Sequence, residues 1–146
     1  YTDNIWRYSI EIPASFEVST TSPERVLFWH RLTDGSLGEL IINVEQVIEG
    51  LSTKEYSETE LTKGQNQPYD SYNLDSFAPV TIAGIDAWKA TETFKRSSDE
   101  NTREGDMYLF VADGLGYSIF AEADRSTWSS IEPIFNQVIQ SLTLNR

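Results

Sequence analysis

The chain has 146 residues, a net charge of −12 from 11 basic and 23 acidic side chains, and no cysteine. Such a length suits one domain, residues 1–146, able to bury about 68–70% of its unfolded surface, and the missing cysteine excludes disulfides, thiolate metal sites and a cysteine nucleophile. The acidic excess is even, 12 against 5 basic through residue 70 and 11 against 6 after it, so the whole surface repels phosphate backbones and anionic headgroups.

In YSIEIPASFEV, residues 8–18, Tyr8, Ile10 and Ile12 alternate with Ser9 and Glu11, which predicts a strand. Pro13 lacks an amide donor and marks a corner, after which Phe16 and Val18 restart the alternation; the reading is a first hairpin. RVLFWHRL (25–32) and ELIINVEQVI (39–48) predict two more strands joined by the turn TDGSLG. Their apolar runs are nearly continuous, which implies a sheet covered in part on both faces.

GLSTKEYSETELTKG (50–64) carries a helix start. Ser52 and Glu55 have the spacing of a capping box, and Leu51 with Tyr56 that of a hydrophobic staple. Gly64 is the expected stop. Residues 65–79 read as irregular, with a short strand near Tyr72–Ser76. VTIAGIDAWKATETFKR then predicts strand, turn and strand with Gly84 as pivot. A flexible, exposed loop is expected over SSDENTREGD (97–106), followed by a hairpin turning at Asp113–Gly116. The last helix is expected from Ile131, with Pro133 in its first turn and 126–130 as lead-in; Trp128, Ile131, Phe135, Val138 and Leu142 form its apolar stripe. The expected order is four strands, a helix, three or four strands and a closing helix, an α+β arrangement with a mainly antiparallel sheet.

YSIEIPASF, LSTKEYSE, VTIAGIDAWKATETF and GYSIFAEADRSTW…IFNQVIQSLTL occur in this order along nearly the whole chain. Together they resemble the PsbP-like superfamily, whose members include an extrinsic photosystem II protein of the thylakoid lumen and secreted bacterial lipoproteins. The resemblance implies an α/β/α sandwich with a central sheet flanked by helices. It implies a binding or assembly module rather than an enzyme, and it carries no catalytic residue across.

The residues themselves offer little chemistry. His30 is the only histidine, and its strand neighbours Phe28 and Leu32 favour a structural role. GSLG (35–38) and GLGY (114–117) join strands and are neither a nucleophile elbow nor a phosphate cradle. With 23 acidic residues, some carboxylate pair will have glycosidase spacing by chance. Asp99, Glu100, Glu104 and Asp106 are weak candidates for a hard cation; their spacing is not that of an EF-hand, and Arg103 sits among them, so no metal or cofactor is expected. Phe28 and Trp29 are adjacent on a strand and must face opposite ways, so an incompletely covered face would expose one of them as a partner surface.

The expectation is a non-enzymatic, monomeric domain that binds a protein partner or assists assembly, with no nucleic-acid partner and no membrane insertion by this segment. The alternative is a small-ligand or carbohydrate-binding domain using exposed aromatics. No apolar run approaches the ~18 residues of a spanning helix. Abundant serine and threonine with scarce lysine lead to the expectation of an extracytoplasmic protein, secreted or lipid-anchored.

Overall fold

The computed structural model describes residues 1–145. Before the first helix come β1 (Thr2–Asp3), β2 (Tyr8–Ser9), β3 (Glu17–Ser22), β4 (Arg25–Arg31) and β5 (Leu37–Gln46). Helix α1 (Thr53–Gln65) leads to β6 (Tyr69–Ile82), β7 (Ile85–Arg96), β8 (Arg103–Ala112) and β9 (Leu115–Asp124); α2 (Arg125–Gln140) and β10 (Thr143–Leu144) close the chain.

Two antiparallel meanders, β3–β4–β5 and β6–β7–β8–β9, join through β5 and β9 into one seven-stranded sheet of order β3-β4-β5-β9-β8-β7-β6. Tight turns set the register. Ala83 and Gly84, at φ +48° and +78°, link β6 to β7, and Asp113 and Gly114, at +50° and +76°, link β8 to β9. Positive φ at both central residues matches the twist of the flanking strands. The second turn is tighter than the expected 113–116.

Side chains alternate across the sheet, and each helix takes one face. On the α2 side, Phe28, Leu40, Ile42, Phe110 and Ile119 pack against Ile131, Phe135 and Ile139 of the helix. On the α1 side, Ala90, Met107 and Leu109 meet Tyr56 and Leu61. The α/β/α sandwich is present. Ser52 caps α1 as expected: its Oγ accepts from Glu55 N at 3.2 Å, and Glu55 Oε2 accepts from Ser52 N at 3.0 Å. Leu51 and Tyr56 share one apolar cluster.

Several expectations are corrected. The segments flanking Pro13 do not pair with each other. Phe16 N donates to Pro13 O at 3.0 Å, and that turn sends β2 into a small sheet with β1 and β10, and β3 into the large one beside β4. Residues 69–82 form a single 14-residue strand, where an irregular segment with a short strand near Tyr72–Ser76 was expected before Val80. An edge strand needs only one apolar face and tolerates Pro79, which is why its polar composition was misleading. Gly64 lies within α1, and Asn66, at φ −83°, caps it instead. Helix α2 starts at Arg125 and holds Pro133 in its interior. Pro133 and Ser129 are both exposed, so the carbonyl that loses its amide partner is left to solvent. The loop after β7 ends at Thr102; Arg103, Glu104 and Asp106 belong to β8, and Asp106 is buried.

Candidate functional site

Helix α1 packs against β7, β8 and β9. On its side of the sheet, two regions lie beyond it: a charged end beside the β4–β5 and β7–β8 loops, and the outer strands β3–β5.

The charged end begins with a cross-strand row. Glu39 on β5 lies opposite Glu122 on β9, Glu122 opposite Gly105 on β8, and Gly105 opposite Glu92 on β7. Gly105 leaves room for Phe120, since a Cβ there would lie 2.9 Å from the Phe120 ring and 2.7 Å from the Ala121 carbonyl. Glu122 is only 1% exposed and Glu92 3%. Buried carboxylates need partners. Arg96 grips Glu122 with two parallel bonds, Nη1 to Oε1 at 3.0 Å and Nη2 to Oε2 at 2.6 Å. Arg103, 8% exposed, donates to Asp124 at 3.0 Å and to Glu39 at 3.4 Å, with Glu122 at 3.5 Å. Among the described residues its Nε is buried without a partner. Tyr72 donates to Glu92 at 2.6 Å. Asp124, the residue before α2, spends its carboxylate on Arg103 and Asn101, so it makes no side-chain cap for the helix.

Carboxylates outnumber the two guanidinium groups here. Burial, reinforced by the hydrogen bond and charge of Glu122, pushes the Glu39 carboxyl up to about 7, against the pull of Arg103 and Arg96. Burial also raises Glu92; the Tyr72 hydroxyl opposes that shift and the Glu122 charge adds to it. Two concavities flank the network. One, of about 500 Å³, has Arg31, Asp34, Ser36, Asp99, Asn101 and Arg103 in its wall; the other, of about 340 Å³, is lined by Pro68, Tyr69 and Arg96.

The second region is apolar. Leu27, Ile41 and Phe120 stand directly opposite one another across β4, β5 and β9, with Trp29 one step along β4. All four are partly exposed.

No protein-family model matches the chain, and no curated protein matches its sequence. Solved structures do. Cyanobacterial PsbP (CyanoP) from Synechocystis sp. PCC 6803 superposes with a TM-score of 0.70 at 13% identity, over 99% of this chain and 90% of that one. The fold is PsbP-like. LpqN of Mycobacterium tuberculosis, involved in cell envelope biogenesis, is similar at TM-score 0.68 and 12% identity, over 95% of this chain and 83% of its own. PA94 of Pseudomonas aeruginosa, a protein of unknown function, gives 0.71 at 11% identity, over 96% and 99%.

Within this PsbP-like frame the expected site residues separate. Phe28 is fully buried and cannot be partner surface; Trp29, its neighbour, lies on the open apolar region. The four acidic candidates do not converge. Asp99 is tied to Arg96, accepting from its amide at 2.8 Å, and Glu100 lies in the wall of the larger cleft. Glu104 and Asp106 point to the α2 side of β8. There Lys89 sits 2.9 Å from Asp106, and Thr91 donates to it at 2.8 Å. Among the described residues no group of three or more such side chains is placed to hold a metal ion. His30 Nδ1 lies 3.1 Å from the Ser15 carbonyl, so it carries the proton, and the ring stacks on Phe16 at 5.1 Å.

Sequence reasoning missed Glu39, Glu92, Arg96, Arg103 and Glu122, which read as solvated charges. One signal was there. Glu122 in FAEAD and Glu92 in ATETF interrupt otherwise apolar or small strand segments, where a charge must find a partner.

Proposed function

We propose that this chain is a non-enzymatic, extracytoplasmic domain that binds a protein partner or assists an assembly. The observation that carries the reading is the apolar region of Leu27, Trp29, Ile41 and Phe120, on a sheet face whose other half is covered by α1. Apolar side chains left together on a sheet mark a contact surface. The tethered, stacked His30 and the diffuse acidic charge fit such a module better than a hydrolase or a nucleic-acid binder. The envelope role of LpqN, similar only in fold, agrees with an extracytoplasmic setting.

The test is a photo-crosslinking amino acid at position 29, introduced in the native cells. A discrete adduct is expected, lost when Leu27→Glu and Ile41→Glu are combined in a variant that keeps its Tm. The same adducts from position 134, on the exposed side of α2, would refute the surface, and retention of the protein in the cytoplasm would refute the location. A second reading, small-ligand or carbohydrate binding, is favoured by the polar cleft around Ser36 and Asn101. Saturation-transfer signals from a sugar library, abolished by Asn101→Ala, would support it instead.

A further inference from the structure

The seven-stranded sheet has two open edges, and they differ in how far they resist further pairing. Strand β6 is guarded: its register shifts at Tyr69/Ser71 and again at Leu74/Ser76, and Pro79 removes a donor. Bulges and proline are the usual ways to stop an edge from recruiting another chain. Strand β3 has less protection. Glu17–Thr20 pair in unbroken register with Trp29–Val26, and the one shift falls at Thr20/Ser22, beside the turn into β4. The strand contains neither proline nor lysine, and five of its six residues are exposed.

We propose that β3 accepts an added strand from a partner protein, an extended segment in which apolar residues alternate with basic ones. A row of outward-facing amides and carbonyls is satisfied fully only by another extended backbone. The two faces of β3 then specify the entrant's side chains. Val18 and Thr20 face the α2 side. Val18 is 50% exposed and lies opposite Phe28, whose ring meets Tyr1 edge-to-face at 5.3 Å, and Tyr1 is itself 38% exposed. Val18 and Tyr1 thus give an apolar shelf that ends at the sheet edge. Glu17 and Ser19 face the other way, and Glu17 shares its cross-strand row with Trp29 and Glu39. A lysine or arginine on that side of the entrant lies directly beside the exposed Glu17 carboxylate. A second copy of this chain would bring another −12 of charge and its own Glu17 to the same edge, so the partner is a different, basic segment. The inference rests on the backbone of one edge rather than on the apolar region around Trp29, so either can fail alone.

The experiment uses isotope-labelled protein and a capped hexapeptide of alternating lysine and valine. Amide shifts are expected at Glu17–Ser22 and absent along Tyr69–Ile82. A glutamate–valine peptide, and lysine–valine peptides N-methylated on either alternate set of amides, are compared with it. The glutamate form and one of the N-methylated forms should bind about tenfold more weakly, as should the unmodified peptide to Val18→Lys protein of unchanged Tm. Equal binding of all the peptides, or shifts confined to β6, overturns the inference. Concentration-dependent dimerisation with β3 shifts in the absence of peptide would assign the edge to a second copy and also overturn it. Loss of peptide binding with crosslinks from position 29 intact would remove this inference and leave the proposed function standing.

Discussion

Along β8, Tyr108 and Phe110 face α2, while Arg103, Met107 and Leu109 face α1. The same alternation on β9 sends Tyr117, Ile119, Ala121 and Ala123 one way, and Phe120 and Glu122 the other. The α2 side is therefore mostly an apolar layer, in which stability follows area and fit and no contact needs a unique partner. The α1 side holds a small apolar cluster under the helix and a network of ions beyond it. Such a network is directional, so removing one member leaves charges that were desolvated for its sake. One sheet thus has a face that tolerates change gradually and a face that depends on specific pairs.

The largest effect belongs to the apolar face. Phe135, 1% exposed, packs against Phe16 and Trp128, and Phe135→Ala should cost about 4 kcal/mol, read as a lowered urea midpoint with an unchanged slope. A cost below ~1 kcal/mol would mean that this layer collapses around cavities and is looser than described.

Glu122→Ala tests the opposite face and should cost about 3 kcal/mol, because Arg96 and Arg103 both lose their shared carboxylate. Joint replacement of Glu122, Arg96 and Arg103 by apolar residues should recover much of that loss. If single and triple variants were equally unstable, the network would owe its worth to packing and the contrast between the faces would break down.

The pH dependence sharpens the same contrast. Glu39 titrates near 7 in the folded chain against an ordinary 4.5, so between these values the native state holds a proton that the unfolded state has released. Stability from this group is full below about pH 4.5 and is lost as pH rises through 7, a loss of about 3 kcal/mol. Glu92 is raised with the same sign, so Glu39→Gln should flatten the decline between pH 5 and 8 without abolishing it. A decline as steep in Glu39→Gln as in the parent would assign the titration elsewhere.

The smallest effect concerns α1, which buries only Tyr56, Ser57 and Leu61 and depends more on its ends than α2 does. Ser52→Ala should cost about 1 kcal/mol through the lost cap. An unchanged midpoint would show that the Ser57 hydroxyl, bonded to the Thr53 and Leu109 carbonyls, already anchors that turn.

What the sequence determined by itself is local. The turns at Ala83–Gly84 and Asp113–Gly114, the cap at Ser52 and the α2 stripe from Trp128 to Val138, though not Leu142 beyond the helix, all rest on residues a few positions apart, where conformational preference acts without knowledge of the fold. Nearly continuous apolar runs bounded by turn residues likewise identified the central strands, because a strand covered on both faces must be apolar at most positions. Strand β6 escaped that reading because an edge strand can be polar, and the start of α2 escaped it because Ser126–Ser130 have modest helix propensity and are held by Trp128 and Ile131 in the core. Only the tertiary structure decided that Phe28 is interior and Trp29 partly exposed, since alternation says that neighbours differ but not which face is covered. It alone brought Glu39 of β5 to Arg96, Arg103 and Glu122 of the consecutive strands β7, β8 and β9, across the intervening α1 and β6. Partners of that kind are chosen by strand order and register, and those follow from burying the whole apolar surface at once rather than from any one segment.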